Sequence, residues 1–227
     1  MLAAGIVGKI GTVTRHRRRE RVLAACLAML AGYIDALGFL KLGGFFVSFM
    51  SGNSTRLGVG LSSGWAAATL PALLIGLFVT GVVAGSLVGR AAVTSARRRP
   101  AVLGFVTLLL AGAAILEETG LGYGAVAAMT LAMGAENALF ERDGEVSIGL
   151  TYMTGTLVKL GQRITDALLG GNRWSWIWYL LLWSGLVTGA LTGAAVYERM
   201  GLGGLWIAAP VAALFTVAAG MIGDERR

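Results

Sequence analysis

The sequence predicts an all-α integral membrane protein: six transmembrane helices forming two inverted-topology three-helix repeats, each with a re-entrant or broken polar segment after its first helix. Three observations predict this class. The composition is apolar throughout, six apolar runs alternate with short basic clusters, and the second half of the chain repeats motifs of the first.

Hydrophobic residues make up 56% of the 227 positions and charged residues 14%. A soluble domain carries about a quarter charged residues. Here the charges lie in clusters between the apolar runs, the pattern of a chain that crosses a bilayer repeatedly. The net charge of +7 sits in short connecting clusters with no soluble domain to present it. The lipid bilayer is therefore the expected partner, and no nucleic acid is expected. Cys26 is the single cysteine and His16 the single histidine, the latter inside RHRRRER. An internal disulfide, a thiolate metal cluster and a His-rich site are excluded, so no metal and no cofactor are expected. No nucleophile–base set is visible either, which argues against an enzyme.

Crossing a hydrocarbon core of about 30 Å takes about 20 apolar residues. Six runs approach this length: 22–41, 66–92, 101–117, 121–140, 174–197 and 202–222. The first follows the basic tail 1–21 and contains Asp35, so it reads as a retained span and not a cleaved secretory signal. With both termini in the cytoplasm, every basic residue except Lys41, Arg56 and Arg199 obeys the positive-inside rule. Making 43–64 a full span would turn Arg97–Arg99 outward and place Arg56 across the bilayer, at about 2.5–3.5 kcal/mol for that residue. The domain plan is thus a cytoplasmic tail 1–21, a three-span repeat 22–118, an inverted three-span repeat 119–222 and a short cytoplasmic tail 223–227.

The repeat rests on three matches in the same order. GYIDAL (Gly32–Leu37) corresponds to GAENAL (Gly134–Leu139), MSGNSTRLG (Met50–Gly58) to MTGTLVKLG (Met153–Gly161), and TGVVAGSLVG (Thr80–Gly89) to SGLVTGALTG (Ser184–Gly193). Their offset stays near 103 residues, within about one position. Three spans per half is an odd number, so the second half enters from the opposite side, as in many secondary transporters. Duplication of a stable packing unit is the plainer alternative.

The polar segments 43–64 and 143–170 are then the candidate site. In the first, a helical apolar arm GGFFVSFM is expected to lead to a break at Ser51, Gly52 and Asn53, where Gly52 permits non-helical backbone. Asn53, Ser54 or Thr55 would cap a returning half-helix whose N-terminus faces a substrate near the midplane. Thr154, Gly155 and Thr156 occupy the same place in the second copy. Arg56 and Lys159 are either anion-attracting groups or snorkelling anchors. The alternative reading makes each segment an interfacial amphipathic connector.

Asp35 lies deep in the first run and Glu136 about as deep in the fourth, counted from the other face. Asn137, not Glu136, aligns with Asp35. Intramembrane carboxylates are costly and mark proton or ion pathways, or else act as hydrogen-bonding contacts between helices. The glycine ladders Gly81, Gly85, Gly89 and Gly185, Gly189, Gly193 suit close helix contacts, between the halves or in a homo-oligomer. Arg173–Tyr179, RWSWIWY, reads as an aromatic belt at the cytoplasmic interface.

The stretch AGYIDALGFLKLGGFFVSFMSGNSTRLG, Ala31–Gly58, resembles the YoaK-type bacterial inner-membrane proteins (domain of unknown function 1275). Their Gly-Tyr/Phe-x-Asp motif is followed by Thr-Gly-Asn, and Ser51 stands here where Thr is usual. The resemblance implies a multi-pass inner-membrane protein and singles out Asp35, Gly52 and Asn53 without naming a substrate. The function expected is a secondary transporter of a small, anionic solute, coupled to a proton or ion through Asp35, Glu136 and Asn137. A channel or a non-transporting membrane scaffold is the alternative.

Overall fold

In a computed structural model of the chain, residues 2–92, 94–142, 145–146 and 151–224 are described. The protein is an all-helical membrane protein apart from a minimal hairpin. Its helices are α1 (Leu2–Lys41), α2 (Met50–Ser63), α3 (Trp65–Ala91), α4 (Ser95–Glu118), α5 (Gly122–Asn137), α6 (Met153–Leu168), α7 (Ile177–Met200) and α8 (Leu205–Asp224). The hairpin pairs β1 (Glu141–Arg142) with β2 (Glu145–Val146).

Four stretches are long and apolar enough to cross a membrane: Arg21–Lys41, Trp65–Ala91, Ala96–Glu118 and Ile177–Met221. Two expected runs differ from this. The run 121–140 forms a helix of 16 residues, about 24 Å at 1.5 Å per residue, ending in a 3-10 turn at Ala138–Phe140. The last two runs are α7 and α8, joined by a 3-10 turn at Gly201–Gly204 within one continuous apolar stretch.

The short α5 is the most enclosed helix, buried continuously from Ala128 to Asn137 except Leu131. It packs against α3 and α4, while α1 packs against α7 and α4 against α8. Met129, Met133, Leu37, Val106, Leu110 and Leu205 meet in the main apolar core. Within the α4–α8 contact, Thr107 and Thr216 hydroxyls lie 3.2 Å apart.

The glycine ladders build two close helix crossings. A Cβ on Gly185 would stand 2.8 Å from the carbonyl oxygen of Ala25, and one on Gly193 would stand 2.5 Å from that of Tyr33. At Gly189 a Cβ would collide with the carbonyl of Met29. The partner positions rise together along both chains, so α1 and α7 run parallel. In the other crossing, Gly81 meets Leu131 and Gly85 meets Ala135, so α3 and α5 are parallel too. Gly32 and Gly134, which open the two matched hexapeptides, complete these contacts from the opposite helix. They lie against Leu186 and Phe78, respectively. Such proximity gains dispersion contacts and Cα–H···O interactions that a side chain would abolish. Gly81, Gly85, Gly185, Gly189 and Gly193 thus make contacts between the two halves, one of the two settings that the ladders suited.

At the ends of α1 and α4, Lys41 pairs with Glu117 at 3.3 Å, and Glu118 accepts the Trp206 indole N–H at 2.9 Å.

Candidate functional site

The segment between α1 and α2 is not the helical arm expected from its sequence. After Lys41 the chain turns through Gly43 and Gly44, with φ of +64° and +110°, conformations that favour glycine. It then runs non-helically to Phe49. The break therefore precedes Ser51-Gly52-Asn53, and those three residues lie inside the first turn of α2.

Asn53, together with Asp35 of α1, holds the preceding segment of chain. Asp35 Oδ1 accepts the backbone N–H of Val47 at 2.9 Å and of Ser48 at 2.8 Å. Asn53 Oδ1 accepts the Phe46 N–H at 3.1 Å, and its Nδ2 donates to the Phe46 carbonyl at 2.6 Å. Asn53 is fully buried and serves one residue's donor and acceptor together, so it does not cap α2 as expected. These bonds meet the requirement that non-helical backbone inside a bundle have partners. Gly38 and Gly52 leave the necessary room. A Cβ on Gly38 would approach Val47 Cγ1 to 2.6 Å, and one on Gly52 would approach the Phe49 ring to 2.7 Å. Asp35, Gly52 and Asn53 thus form one clasp around residues 46–48.

Around the matching motif of the second half the bonds are sparser. Asn137 Nδ2 donates to the Met133 carbonyl at 2.8 Å, and Asn137 Oδ1 accepts the Thr151 hydroxyl at 3.2 Å. Thr151 and Asn137 are the repeat counterparts of Ser48 and Asp35. Thr156, at the position matched to Asn53, donates its hydroxyl back to the Tyr152 carbonyl at 3.1 Å, its one side-chain bond among the described residues. Residues 143–144 and 147–150, which belong to the second polar segment, lie outside the described residues.

Between the two segments lies a cavity of about 760 Å³. Ser48, Phe49, Met50 and Ser51 line it from one segment, and Thr151, Tyr152, Met153 and Thr154 from the other. These are four matched pairs at the repeat offset. Gly155 and Asn137 extend the second wall. A third wall is the i, i+4 stripe Phe78, Val82, Ser86 and Arg90 of α3. Neither α2 nor α6 has a side-chain cap. The first i→i−4 bonds come at Asn53 N–H to Phe49 and at Thr156 N–H to Tyr152, although in α6 the Met153 N–H already donates to the Thr151 carbonyl at 2.9 Å. Uncapped first turns of both helices therefore face the cavity, bringing two partial positive charges to it, and Arg90 adds a full one.

Of the expected site residues, Ser51, Thr154, Gly155 and Asn137 come together here. Gly52 and Asn53 belong to the clasp, and Ser54 and Thr55 bond back to the carbonyls of Met50 and Ser51 on the exposed side of α2. Arg56 stacks on the Phe45 ring, 4.8 Å from its centroid, beside a separate hollow of about 280 Å³. Lys159 is exposed on α6 and lines no part of the cavity. Glu136 is completely buried, and neither carboxyl oxygen has a hydrogen-bond partner among the described residues. Sequence reasoning missed Arg90 and Ser86. Their spacing from Phe78 and Val82 was legible as one face of α3, next to the ladder Gly81, Gly85 and Gly89.

Comparison with known proteins agrees with this architecture. Residues 23–218 match the family model described as "Protein of unknown function (DUF1275)". The chain belongs to the DUF1275 family. It is 40% identical over 208 residues to UPF0700 transmembrane protein RA0705 of Rhizobium meliloti (strain 1021), covering 89% of this chain and 88% of that protein. It is 28% identical over 158 residues to UPF0700 transmembrane protein YoaK of Bacillus subtilis (strain 168), covering 66% and 69%. No solved structure matches. This DUF1275 chain is accordingly a multi-pass membrane protein.

Proposed function

We propose that the protein is a secondary transporter of a small anionic solute, bound in the cavity between α2 and α6 and coupled to a proton or ion. The observation that carries the reading is that one cavity is lined by matched residues from both polar segments, at the uncapped first turns of two helices. Backbone N–H groups at such turns suit a carboxylate or phosphate. Arg90 supplies the charge that holds it.

The six-span inverted repeat belongs to the same proposal. It makes α5 a short central crossing and divides Ile177–Met221 at Gly201–Gly204. The pairings support it: first span of one half with second span of the other, α1 with α7 and α5 with α3, about an α4–α8 contact between the two third spans that maps onto itself. With the N-terminus in the cytoplasm, Arg90 at the end of α3 lies on the cytoplasmic side, from which the cavity fills.

Glu136 is the coupling group in this reading. An unpaired charge is costly in its enclosed position, which ties its charge state to whether rearranging helices admit water. Asp35, fastened to Val47 and Ser48, positions the first polar segment. Uptake by purified protein in proteoliposomes tests the proposal, using a panel of small organic anions with and without an imposed proton gradient. Gradient-dependent uptake lost in Glu136→Gln and weakened in Arg90→Gln is expected. Gradient-independent flux in wild type would instead make the protein a channel, and absence of flux for every anion would leave a scaffold.

A further inference from the structure

A second large concavity lies on the outer surface, away from the cavity between α2 and α6. It has a volume of about 990 Å³ and runs along the seam between α1 and α7, beneath the start of α7. Its two ends differ in chemistry. One end carries Arg21 from α1, Arg163 from α6, and Asn172 and Trp174 from the connection before α7. Toward the other end it is lined mainly by Val22, Ala25, Cys26, Met29 and Leu181, with the α7 hydroxyls of Ser184 and Thr188 along one edge. From Arg21 to Met29 the helix rises about 12 Å, so the apolar floor descends well into the depth of one leaflet.

We infer that this groove is a specific site for an anionic diacyl phospholipid, with the phosphate at Arg21 and Arg163 and an acyl chain along the α1–α7 seam. Val22, Met29 and Leu181 are 57%, 40% and 52% exposed, so the floor opens sideways onto the hydrocarbon and suits a chain better than a water-soluble solute. The Arg21 guanidinium lies over the Trp178 ring, 5.6 Å from its centroid, which fixes its plane while leaving its edge able to donate. Arg163 pairs with Asp166 at 3.0 Å, yet the two side chains remain 49% and 53% exposed, so a phosphate can share the guanidinium. Trp174 and Tyr179 mark the headgroup level. Two arginines from separate helices favour an anionic headgroup over a zwitterionic one. The close glycine packing of α1 on α7 shapes the groove: where Gly185 brings the helices together, its floor is backbone and small side chains.

Native mass spectrometry of the intact chain tests the site, after exchange into mixed micelles with equal amounts of phosphatidylglycerol and phosphatidylcholine. Wild-type protein is expected to retain one phosphatidylglycerol in preference to phosphatidylcholine by about tenfold. That factor corresponds to about 1.4 kcal/mol. Arg21→Gln/Arg163→Gln should abolish the preference, and Cys26→Phe, which fills the floor, should displace the lipid with both arginines intact. Arg199→Gln, remote from the groove, should change nothing. Equal retention of both lipids by wild type, or an undiminished preference in the double variant, would overturn the assignment. Displacement of phosphatidylglycerol by millimolar inorganic phosphate would also overturn it, because a phosphate site alone would then suffice.

Discussion

Replacing Asp35 by alanine removes the acceptor of two backbone N–H groups, Val47 at 2.9 Å and Ser48 at 2.8 Å. A hydrogen bond to a charged group contributes about 1.5–3 kcal/mol. Two such bonds amount to about 3–6 kcal/mol, and partial access of water at this position places the loss near the lower end. Asp35→Asn keeps a carbonyl oxygen in the same place and forfeits only the charge assistance, about 1 kcal/mol. For a chain of this size, 1 kcal/mol moves the melting temperature by about 2–4 °C. The alanine variant should therefore melt about 6–12 °C below wild type, and the asparagine variant only a few degrees below. Cys26, partly buried in α1, provides the assay: a thiol-reactive fluorophore reports its exposure as the detergent-solubilised protein is heated. Equal melting of wild type and Asp35→Ala would refute the clasp. Equal losses in the two variants would show that the charge, not the acceptor geometry, is what the fold requires.

The remaining expectations concern packing and topology. Asn53→Ala strips both partners from the part-buried backbone of Phe46 and should destabilise the protein by about 1–3 kcal/mol in the same melting assay. Gly189→Leu, which drives a side chain into the Met29 carbonyl, should cost at least about 1–3 kcal/mol or prevent folding. Gly76→Leu meets nothing within 4 Å and should be tolerated, so equal behaviour of the two would contradict the α1–α7 crossing. In a Cys26→Ser background, Ser62→Cys should label from outside intact cells, and Gln162→Cys only after permeabilisation. Labelling of both from one side would overturn the inverted arrangement.

The apolar helices were legible because composition and length decide them. Matched motifs pointed to the proposed relation between the halves, and Gly32 and Gly134 stand at matching contacts, each where one helix backbone rests on another. The clasp was not legible. GGFFVSFM is apolar enough to suggest a helical arm, and only tertiary bonds from Asp35 and Asn53 make its extended path affordable inside the bundle. Helical spacing also does not reveal that Asn53 turns inward to Phe46 while Arg56 stacks outward on Phe45. Ser51 and Thr154 were found through the repeat. Arg90 was not, because its counterpart in α7 is Ala194 and the cavity takes its third wall from α3 alone.

The central claim is a solute site shared by α2 and α6, and ligand-induced stabilisation tests it most directly. Purified protein is screened against small organic and inorganic anions for a rise in melting temperature, since a ligand that binds the native state stabilises it by mass action. An anion that stabilises wild type should lose its effect in both Ser51→Phe and Thr154→Phe, which fill the cavity from opposite walls. The effect should persist in Arg56→Gln and Lys159→Gln, which lie outside it. An effect that survives both phenylalanine variants and disappears with Arg56 or Lys159 would place the site elsewhere and contradict the account.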